Sequence, residues 1–423
     1  MDKMADVLGR AGAWCGQNKY LSAIKNAFQN FMPLTIAGAI GVLWCNVLVN
    51  DQTGLGLFFK PIMALDFLNP AFQAVNFCTI SCITVGITLG IAQEIGVWNM
   101  GAERAGYIPG LVGLAAWLSV TNTSHMVEGA KDAFTGIAGN ELGATGLFTG
   151  MIIGVLSVEL FCFFEKQDAL KIKMPEQVPP GVARAFEVLV PATITLIITA
   201  CIGSACYNLT GLYLNDVIKN GIQGPLGAVG ATIPGVMIIY LVIMLFWLVG
   251  IHGNNMLSAV KEALFTPLAL ENVEKFNKGE KPTNIINMYF LQMCGEFGGS
   301  GVTIGLVIAI MIFGKREDNK AIASLSLVPG LFNINETVTF GVPMVLNPIL
   351  GIPFVVAPLI TIIIGYVLTV IGFCPVACLT VPWTTPPIVF GFLACGANVM
   401  GAVTQAILIV VSTVIYVPFL ISY

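Results

Sequence analysis

Long runs without a charged residue set the pattern of this chain. Asp, Glu, Lys and Arg are missing from 26–50, 67–93, 105–127, 188–215, 220–260, 297–314 and 337–423. A helix crosses a bilayer with about 20 apolar residues. Most of these runs hold one span, and the last has room for three with irregular pieces between them. A further span, near 142–164, is interrupted only by Glu159. Backbone groups in lipid must find their partners within the protein, which leaves helices or a closed barrel. Residues Val355–Ile364 read VVAPLITIII, without the alternation of a barrel strand. The pattern therefore predicts an all-α integral membrane protein with about ten spans.

The two parts of the chain differ in texture. Residues 1–210 read as five ordinary spans. Residues 211–423 are broken repeatedly by Gly, Pro and Asn at membrane depth, in GIHGNN (250–255), GGSG (298–301), PGLFNINE (329–336) and PWTTPP (382–387). Non-helical backbone at that depth is tolerated only where protein buries it or water reaches it. Transporter substrate sites are built from such interrupted helices, so the working site is expected in the second half.

Composition agrees with the pattern. The 423 residues are 56% hydrophobic and 10% charged, with a mean hydropathy of +0.86, whereas a soluble domain carries about 25% charged residues. The net charge of −4 says little, because the charges sit mostly in loops, but the lack of any basic stripe argues against a nucleic-acid partner. Eleven cysteines show neither metal-site nor redox spacing, and most lie inside apolar runs as small hydrophobes. No short apolar core with a cleavage site precedes the first span, near Phe28–Val49. Lys3, Arg10, Lys19 and Lys25 before it favour a cytoplasmic N-terminus in the plasma membrane. On that orientation Lys60, Lys131 and Lys219 mark outward segments. Lys166, Lys171, Lys173 and Arg184, and then Lys275, Lys278 and Lys281, mark cytoplasmic ones. Lys315, Arg316 and Lys320 break the alternation: either 297–314 does not cross fully or nearby re-entrant segments change the count.

Candidate chemistry follows the broken segments. Glu336 is the last charged residue of the chain. An acid at a helix centre costs about 2.5–3.5 kcal/mol on insertion scales, so it faces a cavity or a partner. It can accept hydrogen bonds from substrate hydroxyls, with Asn333 and Asn335 beside it; its other reading is a carboxylate at a span end. His252, one of two histidines, lies among glycines and the amides of Asn254 and Asn255, a polar backbone of close approach. His125 reads as structural. Trp247 and Trp383 could pack on the apolar face of a sugar ring, or serve as interfacial anchors. Glu296 is either pocket wall or helix end. No phosphate-binding GxxxxGK[ST] loop and no His/Cys cluster is present, so neither ATP, a metal nor another cofactor is expected.

At these motifs the sequence resembles the membrane subunit (IIC component) of the lactose/cellobiose family of bacterial sugar phosphotransferase systems. The likeness runs through NKYLSAIKNAF, LGATGLFTGMIIGVLSVELF, MPEQVPPGVARAF, GIHGNN, GGSGVTIGL, VPGLFNINE, FGVPMVLNPILGIPFVVAPL and VPWTTPPIVFGFLACG. It implies ten transmembrane helices with two re-entrant hairpins, and a homodimer joined through the first half, making 1–210 the scaffold and dimerisation domain and 211–423 the substrate-binding transport domain. It also implies a sugar, usually a disaccharide, bound in the second half. A separate IIB protein, itself served by IIA, phosphorylates that sugar as it reaches the cytoplasm. Glu336 and His252 fall on the family's sugar-binding glutamate and histidine. Thr337 stands where the family usually has proline, and 185–191 reads AFEVLVP where the family reads closer to SFAALIP. The residues alone leave two other functions open: a proton-coupled secondary sugar transporter working through Glu336, and a membrane receptor that binds without moving its ligand.

Overall fold

A computed structural model describes residues 2–51, 55–125, 134–175, 177–342 and 344–423. Lys131, expected in an outward segment, lies outside the described residues. The fold is helical, as the hydrophobic pattern requires. Its only β-structure among the described residues is the two-residue antiparallel ladder of Ser124–His125 with Phe134–Thr135.

Among the described residues six helices are long and apolar enough to cross a membrane: Lys19–Leu48, Lys60–Met100, Ala144–Glu165, Pro180–Thr210, Gly351–Val370 and Val399–Ser422. Leu214–Gly230 and Ile233–Leu248 form a seventh candidate, bent by 76° at the break. Two apolar helices are shorter, Ile108–Val120 and Ile304–Phe313. At 1.5 Å per residue they extend about 20 and 15 Å, against a hydrocarbon core of about 30 Å. The run 297–314 therefore supplies only a ten-residue helix, one of the two explanations open for the misplaced basic cluster after it. The run 337–423 holds two helices of spanning length, not three, with the short Val389–Ala394 between them.

The chain forms two compact units. One comprises Asn18–Leu34 and Cys78–Leu226. Its helices Ile83–Met100 and Ala144–Glu165 approach closely because glycines four residues apart, Gly150 and Gly154, face Thr88. A Cβ on Gly150 would sit 2.2 Å from Thr88 Oγ1, and one on Gly113 would sit 2.3 Å from Ala92 Cβ. Small residues at helix crossings are how helices pack where no water drives them together.

The other unit comprises Met1–Gln17, Thr35–Phe77 and Gly227–Tyr423. Its core gathers Tyr240, Trp247, Phe265, Phe290, Phe297, Phe354 and Tyr416, all essentially out of solvent. Around that core the long helices Ser258–Asn277, Gly351–Val370 and Val399–Ser422 are interleaved with short ones joined by irregular backbone. Five non-glycine residues adopt positive φ among the described residues: Val302, Asn333, Leu346, Ile388 and Ala397. All five belong to this unit.

Candidate functional site

The four broken segments singled out in the sequence meet in the larger unit. The helix Ile233–Leu248 is followed by Gly250, where φ is +80°, and the chain turns into Gly253–Met256, a single helical turn capped by His252. His252 Nδ1 accepts the backbone N–H of Asn255 at 3.2 Å. With Nδ1 an acceptor, a neutral ring carries its proton on Nε2. Nε2 lies 3.8 Å from Glu336 Oε1, longer than a hydrogen bond. Both side chains are open, 37% and 47% exposed. Glu336 starts its own short helix, Glu336–Gly341. A carboxylate acceptor and an N–H donor thus face one gap from two separate helix ends.

Trp247 backs this pair. Its ring centroid is 4.4 Å from that of His252, and 6.4 and 6.5 Å from those of Phe340 and Phe354. The indole is buried, and its N–H finds no acceptor among the described residues. A buried orphan donor asks for an explanation. Trp383 is 42% exposed, and its backbone carbonyl accepts from Asn333 Nδ2.

Asn333 and Asn335 point into protein and hold the loop that presents Glu336. Asn333, at φ +63°, accepts from Gly298 N–H at 2.6 Å and donates to the carbonyls of Trp383 and Thr385. It therefore joins three of the four motifs. Asn335, 4% exposed, donates to Ser300 O at 2.8 Å and to Thr339 Oγ1 at 3.1 Å. The glycine loop must be glycine to receive them. A Cβ on Gly299 would lie 2.6 Å from Asn335 Cβ, and one on Gly301 would lie 2.3 Å from the Phe354 ring, both at φ near the mirror-image region.

Asn254 and Asn255 part company. Asn255 is exposed, while Asn254 Nδ2 donates to Glu296 Oε1 at 3.1 Å. The same oxygen accepts from Tyr240 OH at 2.8 Å and pairs with the Lys261 ammonium. Sequence reasoning passed over Tyr240 and Lys261. Lys261 is the first charge after the run 220–260, followed by Glu262 and then the apolar ALFTPLAL (263–270); a pair of charges at the edge of so apolar a context was the available signal. Its side chain is 7% exposed.

A sugar hydroxyl suits the His252–Glu336 gap, since its oxygen can accept from Nε2–H while its proton is donated to the carboxylate. The exposed faces of Phe340 and Trp383 offer apolar surface in the same unit.

Comparison with known proteins places this arrangement in context. The family described as "Phosphotransferase system, EIIC" matches residues 25–358. An oligo-beta-mannoside-specific EIIC component of Bacillus subtilis (strain 168) is 33% identical over 424 residues, covering 99% of this chain and 93% of that protein. A lactose-specific EIICB component of Staphylococcus aureus (strain COL) is 33% identical over 420 residues, 96% of this chain but 69% of that longer protein. Among solved structures, the transporter ChbC, the IIC component from the N,N'-diacetylchitobiose-specific phosphotransferase system, superimposes with a TM-score of 0.88. The two share 29% identity over 97% of this chain and 94% of that one.

Proposed function

The chain belongs to the phosphotransferase system EIIC family and is a multi-pass membrane sugar permease component, and on that premise we propose that it holds a disaccharide between Glu336 and His252. The observation that carries this reading is the 3.8 Å gap between an exposed imidazole Nε2 and an exposed carboxylate, each fixed at a helix end. One sugar hydroxyl bridges the two and is thereby oriented for attack on a phosphoryl group. Phosphoryl transfer asks the protein mainly for such positioning. Trp247 supports the imidazole from behind, and Trp383 offers a ring face. Asn255 lies on the open side of the turn, and Asn254, Asn333 and Asn335 hold the backbone that presents the two acid–base groups.

The phosphate donor in this reading is a IIB protein, fed by IIA. A relative whose name joins C and B components is consistent with such a partner. The substrate-binding transport domain is 211–423, and 1–210 is the scaffold through which two copies pair. The helix Pro180–Thr210 has the least buried apolar window of the six long helices, 22%, and it is the surface available for lipid or for a second copy. Ten spans with two re-entrant hairpins account for the short helices near GGSG and PWTTPP, and the N-terminus then faces the cytoplasm.

The test is the Glu336→Gln protein, which keeps shape and loses charge. A hydrogen bond to a charged group contributes about 1.5–3 kcal/mol, so affinity for a radiolabelled disaccharide should fall about 10- to 100-fold. Near wild-type affinity would remove Glu336 from the site.

A further inference from the structure

Glu296 touches neither His252 nor Glu336 in any contact described above, yet it is bound to the supports of both. Its Oε1 is a meeting point for three donors from three elements: the Tyr240 hydroxyl on Ile233–Leu248, the Asn254 amide in the turn that His252 caps, and the Lys261 ammonium on Ser258–Asn277. Glu296 itself follows Met288–Gly295 and leads into the glycine loop. That loop's Gly298 N–H and Ser300 carbonyl hold Asn333 and Asn335, the residues that deliver Glu336. One carboxylate is therefore tied to the imidazole's turn on one side and, through four residues of backbone, to the carboxylate's loop on the other.

The cost of this arrangement makes a purely stabilising role a poor account of it. Lys261 and Glu296 are 7% and 16% exposed, and Tyr240 is 1% exposed. Removing two charges from water is expensive, and well-packed apolar residues often stabilise as much as a buried ion pair does. What an apolar pair cannot do is direct the Asn254 amide. The turn also has backbone hydrogen bonds, such as Ile251 N–H to Phe246 O, and it packs closely at two points. Gly253 lies so close to the helix before it that a Cβ would fall 2.0 Å from Ile243 O, and the His252 ring rests against Trp247.

We propose that Glu296, paired with Lys261, is a positioning residue for the sugar site: by holding Asn254 it sets the distance across which His252 and Glu336 share a sugar hydroxyl. This rests on the assignment of His252 and Glu336 to the sugar.

The test separates charge balance from orientation. Glu296→Leu/Lys261→Met removes both charges and restores apolar packing, but takes away the acceptor for Asn254 and leaves the Tyr240 hydroxyl only the Leu291 carbonyl at 3.5 Å. Glu296→Gln/Lys261→Met also removes both charges and keeps an amide oxygen for Asn254. The probe is radiolabelled lactose or N,N'-diacetylchitobiose, whichever gives the unmodified protein the larger thermal shift. The Leu/Met protein should melt close to the unmodified one and bind the probe about tenfold or more weakly, while the Gln/Met protein recovers most of the affinity. Full affinity in the Leu/Met protein, or equal loss in both, overturns the proposal. If the Leu/Met protein does not fold, Glu296→Asp replaces it, since it keeps the charge pairing and withdraws the carboxylate by one methylene. Weaker binding at an unchanged melting temperature supports positioning, and unchanged binding rejects it. Glu336→Gln is measured alongside. Retained binding there removes the sugar assignment itself, whereas binding lost there but kept in the Leu/Met protein removes only the role of Glu296.

Discussion

In the unit of residues 18–34 and 78–226, helices are held by what is missing from their surfaces. Gly86 leaves space for the Phe31 ring, which a Cβ would approach to 2.2 Å, and Gly150 leaves space for Thr88. Positive φ there occurs only at glycines among the described residues, Gly101, Gly106 and Gly211. From 227 onward the reverse applies. Several helices are cut short, and non-glycine residues hold left-handed backbone at Val302, Asn333 and Ile388. Side-chain amides then fasten one loop to the next. Strained backbone persists only where its surroundings over-determine it, and it gathers at functional sites. The difference teaches where to look: the unit with regular packing needs no explanation beyond stability, while the unit with pinned loops needs one in binding.

If that division is right, a pinning residue should matter for both stability and binding. Asn333→Ala removes bonds to Gly298, Trp383 and Thr385 and leaves alanine at φ +63°. At about 1 kcal/mol for each hydrogen bond and about 1 for the backbone, the expected loss is about 3–4 kcal/mol. It should appear as a lower melting temperature in detergent together with loss of the sugar-induced thermal shift. A protein that melts normally and still responds to sugar would break the comparison at its strongest point.

The second effect is smaller and confined to stability. Gly150→Leu forces side-chain atoms into Thr88 Oγ1 and Thr84 Cγ2, which a bare Cβ would already meet at 2.2 and 2.9 Å. Overpacking of this kind costs about 1–3 kcal/mol. Disaccharide affinity in the protein that remains folded should not change. Weaker affinity there would show that the helical unit also shapes the site.

Much of this contrast was legible in the chain itself, because Gly, Pro and Asn are conspicuous inside runs that otherwise lack polar residues. GIHGNN, GGSG, NINE and PWTTPP drew attention for that reason, and His252, Asn254, Asn333, Asn335 and Glu336 came with them. Span number was less legible. A charge-free run states that a segment avoids water, not that it crosses, and 297–314 yields only Ile304–Phe313. Lys261 and Tyr240 were missed for a different reason. Their partner Glu296 is 35 residues beyond one and 56 beyond the other, and no spacing rule links residues across separate helices. The buried role of the Asn333 and Asn335 amides was hidden in the same way, since sequence proposes polar groups near a substrate without saying which of them face the protein.

The smallest effect is a matched control in which the two units should not differ. Each has an ion pair with an exposed carboxylate: Lys171–Asp168 in the smaller unit, at 3.0 Å, and Lys278–Glu274 in the larger, at 2.6 Å. Lys171 holds the Asp168 carboxyl below the usual carboxylate range, and Glu274 holds the Lys278 ammonium above its usual range. The signs place the loss of each contribution at opposite ends of the pH scale. A depressed carboxyl adds stability above its unfolded pKa of about 3.9 and loses it as pH falls through the folded value; a raised ammonium adds stability below about 10.4 and loses it as pH rises through its own. Both contributions are complete from about pH 5 to 9, and exposed pairs contribute little to stability. Asp168→Asn and Glu274→Gln should therefore leave melting curves across that range indistinguishable from those of the unmodified protein. A resolvable drop for Glu274→Gln alone would mean that polar contacts from 227 onward matter whether or not they are buried, and the contrast drawn from Asn333 and Gly150 would then reflect surface charge instead of pinned backbone.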